Sequence, residues 1–567
     1  MKESLKIILI FFIISLIPTV FYYNLYLFNS ENFDPNIILQ SNFIWDEQTS
    51  YFLRADNLLQ NKSFGVNEID NNFKFSSMSI SLIVFSLLKI LLSSNYFPIY
   101  IDIILSFGFL ITVHLFFIKI LKLDKFYSCL FSIIFLILFS IGPTTINFFL
   151  EIFKNMNLKS MPYIYRQISP SMTSIFLVLF IFLNFKYFQS NKKKILLFTP
   201  LFYFIYPFNS LIQITGSFLF SFYFLFKKKY KNQKIFYFLS LNLFSFFLWY
   251  LLNQLESNWF SKFLLGATYD LIFDKRNFII IFFFCLNFLL YRFYKIEKFI
   301  YLNLSFLTVF IVYNAKFLIG YDLQFYHVDM YFSKPLQWIN IFYITNIIFN
   351  KLVYKRIIAL FSFVFIVFFI LSFNNYSQSI LKKNEKYLYD QLKFKKDLIE
   401  IKYLINGKTI LTLDPNFIFY GYNYVNSKNY IFYSARNLEI SPEINLKRFI
   451  DTCIVHGIND LNKIESIFLL NKNEFKYDLH GVFHELIFLE DGPASANKKN
   501  TYKSLQKNKT FSNLREVIKN YYHQKNSQNT FQDQIILINK NSSIKNIMKL
   551  EKLKLIFENN AFILYKL

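Results

Sequence analysis

The sequence predicts a polytopic α-helical membrane protein of about eleven to thirteen spans, ending in a smaller soluble α/β domain. Three observations predict it. Of the 567 residues, 54% are hydrophobic and 22% aromatic, more than a soluble fold of this size carries. Those residues fall in long blocks rather than in the alternation of half-buried strands. Beyond about residue 375 charged residues become dense and apolar runs shrink to strand length.

Taken in order, the apolar blocks lie near 5–28, 77–93, 97–118, 126–142, 170–188, 195–208, 209–226, 235–252, 277–294, 298–316, 336–350 and 356–373. Several fall short of the roughly 20 residues that a bilayer requires. Lys2 and Lys6 precede the first block, but the block is long and lacks a small-residue cleavage site, so it reads as an uncleaved span. This multi-span body covers residues 1–375, with a first outward loop at 29–76, and the soluble domain covers 376–567.

The net charge of +25 is explained without nucleic acid. Its basic residues cluster between spans, at Lys192-Lys193-Lys194, at Lys227-Lys228-Lys229 with Lys231 and Lys234, and at Lys351, Lys355 and Arg356. Such clusters mark cytoplasmic loops. Loop 29–76 holds seven acidic residues against three basic ones, which places it outside. Segments 143–169, 253–276 and 317–335 then face outside, as does everything after about 374. Lys119, Lys122 and Lys125 conflict with this map, because two apolar segments separate them from the acidic loop. Either one of 77–93 and 97–118 does not cross fully, or these lysines face outward toward an anionic group.

In the tail, 409–413, 430–433, 534–538 and 561–566 read as strands, with helices near 378–405, 441–456, 459–470 and 511–522. Alternating strand and helix predicts an extracytoplasmic α/β domain. Cys129, Cys285 and Cys453 are too few and too scattered for a disulfide framework or a zinc site.

Chemistry is concentrated in the outward loops. Trp45-Asp46-Glu47 follows the first span, where adjacent carboxylates are costly unless used. Asp46 suits a general base that draws a proton from an acceptor hydroxyl, and Glu47 a metal ligand or orienting group. The plainer alternative is a pair of solvated loop acids. Tyr51-Phe52-Leu53-Arg54-Ala55 continues into Leu58-Leu59 as an amphipathic surface helix. Arg166, near Ser169-Pro170 at the opening of a span, faces an anion in one reading and snorkels to water in the other. His327, with Asp322, Gln324 and Asp329 around it, suits a hydrogen bond to a phosphate or a hydroxyl, although a lone interfacial histidine is more often structural.

The outward Asp46, the following Tyr51-x-x-Arg54-Ala55-x-x-Leu58-Leu59 and the multi-span body together resemble the GT-C glycosyltransferases. These enzymes use lipid-phosphate sugars and include the protein O-mannosyltransferases and the aminoarabinose transferases of lipid A. Arg166-x-x-Ser169-Pro170 and the Asn314–His327 loop, with Gly320 and Gln324, resemble segments of related bacterial membrane proteins. The resemblance implies an inverting transfer, in the plasma membrane and on its outer face, of a hexosyl or pentosyl group from a polyprenyl-phosphate donor. The acceptor would be a lipid, glycan or protein. It implies Asp46 as the general base and basic groups that neutralise the departing phosphate; with the residue readings above, the candidate site is Asp46 and Glu47 for catalysis, and Tyr51, Arg54, Arg166, Asp322, Gln324 and His327 for substrate and phosphate binding. It leaves room for a divalent metal, Mg²⁺ or Mn²⁺, yet this chain lacks a second obvious acidic pair in an early loop. Two other classes stand beside it: a transporter or flippase for lipid-linked glycans, and a non-catalytic scaffold with an outward binding domain.

Overall fold

The computed structural model describes residues 2–27, 80–92, 97–141, 173–189, 198–205, 207–228, 231–256, 276–315, 328–349, 352–414, 427–431, 442–458, 460–468, 534–540 and 553–566, with a few single positions besides, among them 55, 58 and 59. The chain separates into two compact units, the first built around residues 78–253 and 270–388 and the second around 389–567.

The first unit is helical. Its elements are α1 (Lys2–Leu27), α2 (Ile80–Leu91), α3 (Phe97–Phe116), α4 (Lys125–Ile141), α5 (Thr173–Gln189), α6 (Thr199–Tyr203), α7 (Pro207–Lys227), α8 (Asn232–Glu256), α9 (Arg276–Tyr294), α10 (Lys298–Asn314), α11 (Lys334–Ile348) and α12 (Leu352–Glu400), whose residues from 389 on belong to the second unit. Among the described residues four helices are long and apolar enough to cross a membrane: Ile99–Leu121, Asn209–Lys227, Asn232–Leu252 and Arg276–Tyr294. Leu5–Ile17, Ile80–Leu91, Lys125–Leu138 and Lys298–Asn314 are shorter apolar helices.

Lysine-rich turns gather at one end of this unit. α3 runs through a π-helical turn, Phe117–Leu121, and stops at Lys122 in the left-handed conformation (φ 59°). The Lys298 ammonium caps that turn by donating to the Leu121 carbonyl. Next to it, Lys355 pairs with Asp124 at 3.2 Å, the Asp124 amide donates to Asn346 Oδ1, and the Tyr127 hydroxyl donates to the Phe349 carbonyl. The Tyr187 hydroxyl likewise donates to the Lys234 carbonyl, joining α5 to α8. Around it Phe188, Leu196, Phe224, Ile235 and Phe238 form a buried cluster against which Tyr301 packs. The turn containing Lys122 and Lys125 thus lies at the same end as Lys234, Lys298 and Lys355.

This geometry bears on the charge conflict around Lys119–Lys125. α2, at 12 residues, rises about 18 Å, short of a hydrocarbon core of roughly 30 Å. α3 with its π turn rises about 37 Å. The residues on either side of α2, 77–79 and 93–96, lie outside the described residues, so the structure does not choose between the two alternatives.

A second interruption separates α6 from α7, where Pro207 opens a new helix. A broken helix leaves backbone carbonyls unpaired, which is costly away from water. Here the Ile80 amide donates to the Phe204 carbonyl at 3.0 Å and the Ser210 hydroxyl to the Tyr203 carbonyl at 2.7 Å. The Tyr203 hydroxyl donates to the buried Asn242 side chain at 3.0 Å.

The second unit holds α13 (Lys402–Ile405), α14 (Pro442–Val455), α15 (Leu461–Phe468) and a five-stranded sheet in the order β2-β1-β3-β5-β4. Its strands are β1 (Thr409–Leu411), β2 (Lys428–Asn429), β3 (Ile535–Asn539), β4 (Lys554–Glu558) and β5 (Phe562–Lys566). β1 pairs in parallel with β2 and β3, while β5 runs antiparallel to β3 and β4. Leu411, Ile536 and Ile538 make a dry seam between β1 and β3. The predicted strands at 409–413, 534–538 and 561–566 appear within a residue or two; of 430–433, residues 430 and 431 follow the two-residue β2 and 432–433 lie outside the described residues; β4 is an addition.

Candidate functional site

α9 and α10 form an antiparallel hairpin held by matched side chains. Asn277 and Asn314 exchange carboxamide hydrogen bonds at 3.0 and 2.8 Å, and Phe283 stacks on Phe306 with ring planes 2° apart. The hairpin turn lies between Tyr294 and Lys298, so Asn277 and Asn314 stand at the end away from the lysine-rich turns. α11 runs antiparallel to α10, with Tyr343 against Phe299 near the lysine-rich end. Its own N-terminus is therefore carried to the far end as well.

At that far end a charged cluster forms. Asp329 opens a π-helical turn, Asp329–Ser333, and is 5% exposed. Lys334, five residues on, follows the π spacing and lies with its ammonium 3.3 Å from Asp329 Oδ2. Arg276, the first residue of α9, lies 3.7 Å from the same oxygen. Arg276 stands at ion-pair distance, while Lys334 also hydrogen-bonds the Asp329 carboxylate. Two cations share one carboxylate oxygen. Val328 is fully buried beneath it, and Gln337 donates to the Ser333 hydroxyl at 3.0 Å.

A second carboxylate stands near the same end on another helix. Asp102 lies in the first turns of α3 and is 1% exposed within a 23-residue apolar stretch. Nineteen residues of helix separate it from Leu121, a rise of about 28 Å.

Asp46, Glu47, Tyr51, Arg54, Arg166, Asp322, Gln324 and His327 all lie outside the described residues. Of the expected surface helix, Ala55 is helical and fully buried, while Leu59 is helical and exposed. Asp329, noted in the sequence as a neighbour of His327, is the one part of that loop cluster that is described. Arg276, Lys334 and Asp102 were not singled out. Each carried a readable signal: a charge abutting or interrupting an apolar block. Among the described residues no group of three or more His, Cys, Asp or Glu side chains is arranged to hold a metal ion.

In the second unit the carboxyl ends of β1 and β3 are joined by Asn539, which donates to Asp414 Oδ2 at 2.8 Å. The Tyr430 hydroxyl donates to Asp451 while the Arg448 guanidinium lies over the Tyr430 ring. No protein-family model matches the chain, and no curated protein shows significant similarity to it.

Proposed function

We propose that the chain is a plasma-membrane glycosyltransferase of the GT-C type, with about eleven to thirteen spans. It transfers a sugar, with inversion, from a polyprenyl-phosphate donor to a lipid, glycan or protein acceptor on the outer face, and its soluble domain is extracytoplasmic. The observation that carries this reading is the Arg276–Asp329–Lys334 cluster, at the end opposite the lysine-rich turns. The positive-inside rule assigns those turns to the cytoplasm, which makes the cluster's end the outer one.

In such a transfer the acceptor oxygen attacks the anomeric carbon while the bond to the lipid phosphate breaks. Negative charge grows on the departing phosphate, and fixed cations aimed at it lower the barrier by a few kcal/mol. Arg276 and Lys334 supply those cations, the first with a planar fork suited to phosphate oxygens. Asp46 takes the proton of the attacking hydroxyl. Purified chain in lipid nanodiscs, supplied with polyprenyl-phosphate sugars and an envelope extract as acceptor, tests the reading. Transfer is expected, and Asp46→Asn is expected to lower it by about a hundredfold or more with folding intact. Undiminished transfer by Asp46→Asn would remove it from the base role, and no transfer with any donor would sink the proposal.

Transport of a lipid-linked glycan is the second reading. Asp102 inside an apolar span and the break between α6 and α7 favour it, because carriers use intramembrane charge and discontinuous helices. Movement of a fluorescent lipid-linked glycan across sealed vesicles, without sugar transfer, would select it.

A further inference from the structure

Three buried asparagines share one level of the helical unit. Phe283 of α9 stacks on Phe306 of α10, so Asn287, one turn beyond Phe283, and Asn303, one turn before Phe306, fall at the same height on facing stripes. α11 adds a third. Tyr343 packs against Phe299, and Asn340 lies one turn before Tyr343 while Asn303 lies one turn beyond Phe299, so the antiparallel helices bring Asn340 to that height too. Asn287 and Asn340 are fully buried, and Asn303 is 8% exposed. Asn287 stands about 16 Å from Arg276 along a helix long and apolar enough to cross a membrane.

The carboxamide nitrogens and oxygens of Asn287 and Asn340, and the carboxamide oxygen of Asn303, make no hydrogen bond among the described residues. Hydrocarbon offers them none, and unpaired polar groups in this number at one level would rival the whole stability of a typical domain. Asn277 and Asn314 show the closed alternative in the same hairpin and the same register, exchanging bonds at 3.0 and 2.8 Å. The inner set stands open.

From this arrangement we infer that Asn287, Asn303 and Asn340 form an internal site for bound water between α9, α10 and α11. Their unpaired atoms comprise two amide donors and three carbonyl acceptors, so the guest must both donate and accept. Water does both, and it settles where a few polar partners converge. A cation suits the carbonyls but not the charge. α9, α10 and α11 carry no acidic residue, and Asp329, in the turn before α11, lies roughly 15 Å from Asn340 along the helix axis. A buried charge without a counter-charge costs far more than a neutral guest. Aromatic pairs close the site along the helix axes, Phe283–Phe306 on the side of Asn277 and Asn314, and Phe299–Tyr343 on the lysine-rich side. Water bonded across the set ties α11 to the hairpin at depth.

Hydroxyl-radical footprinting tests the site, because radicals formed from a bound water oxidise the side chains beside it. Full-length protein in nanodiscs is irradiated in isotopically labelled water, and the oxygen gained by Phe299, Phe306 and Phe224 is read by mass spectrometry. All three are fully buried, but Phe224 packs among Phe188, Leu196, Ile235 and Phe238. Phe299 and Phe306 are expected to gain several-fold more label than Phe224, and Asn287→Leu/Asn340→Leu is expected to lose that excess. Equal labelling of the three in the unaltered chain overturns the inference, and this reading needs no variant to fold. An excess that persists in the folded double variant overturns it as well. The melting temperature is expected to be the same in sodium chloride and choline chloride; a higher one in sodium would make the guest a cation and sink the water assignment. No sugar or phosphate is read, so the outcome does not depend on the proposed function.

Discussion

His456 shows how completely one side chain can be withdrawn from solvent in the second unit. It is fully buried at the end of α14, and its Nδ1 lies 2.7 Å from the Thr452 carbonyl. Burial holds its pKa down at about 4, against an ordinary 6.5, and backbone hydrogen bonds with Thr452 and Leu537 oppose that shift only in part. The sign follows from proton uptake. As pH falls through 6.5 the unfolded imidazole binds a proton that the folded one refuses, so stability is present above that pH and drains away down to about 4. The loss is roughly 3 kcal/mol across the window. Urea unfolding followed by a probe in this unit should show its midpoint falling between pH 7 and 4.5, and His456→Leu should flatten that fall. A midpoint that ignores pH would mean that His456 titrates alike in the folded and unfolded chain, and so is solvated. Cys453, also fully buried, has its thiol pushed well above the usual range and packs as a small apolar group.

At the scale of elements, three helix ends share one device. α3, α7 and α9 are followed by Lys122, Lys228 and Lys295 in the left-handed conformation, with φ of 59°, 51° and 54°. Glycine is the usual residue there, since a side chain costs about 1 kcal/mol in that region. A lysine recovers part of the cost by placing its charge against the negative end of the helix dipole. Replacing each by glycine should raise stability by about 0.5 kcal/mol, read as a higher melting temperature in detergent. A drop would mean that the lysine charges matter more than backbone strain. The sequence marks these positions as basic loops, but nothing in it announces a left-handed residue. β4 escaped notice for a related reason. Lys554-Leu555-Ile556-Phe557-Glu558 is an edge strand with Leu555 and Ile556 exposed, so it lacks the apolar face that makes a strand legible.

For the whole molecule, the blocks of apolar residues were enough to predict helices, because a span needs only length and hydrophobicity. Which helices meet was not legible. Arg276 and Asp329 are 53 positions apart, and their meeting depends on the α9–α10 hairpin returning the chain and α11 starting beside it. The loops that supplied the sequence's own candidates, Asp46 through His327, lie outside the described residues, so those assignments still stand on the residues alone. Sidedness can be checked across the unit. In a background with Cys129, Cys285 and Cys453 replaced, cysteine introduced at Ala315 should react with an impermeant maleimide added outside intact cells, and cysteine at Lys295 should not. The reverse pattern would invert the orientation and remove the outer-face assignment of the cluster.

The Asn277–Asn314 exchange also constrains how the chain is built. α9 carries Phe278, Phe282, Phe288, Leu289 and Phe293 outward, yet Asn277 and Asn287 are fully buried. Alone in lipid, α9 would present Asn287 to hydrocarbon and leave Asn277, at its first turn, without its carboxamide partner. α10 satisfies Asn277 through Asn314 and packs Phe306 over Phe283. The two helices therefore have reason to enter the bilayer as a pair, since each supplies the carboxamide that the other needs.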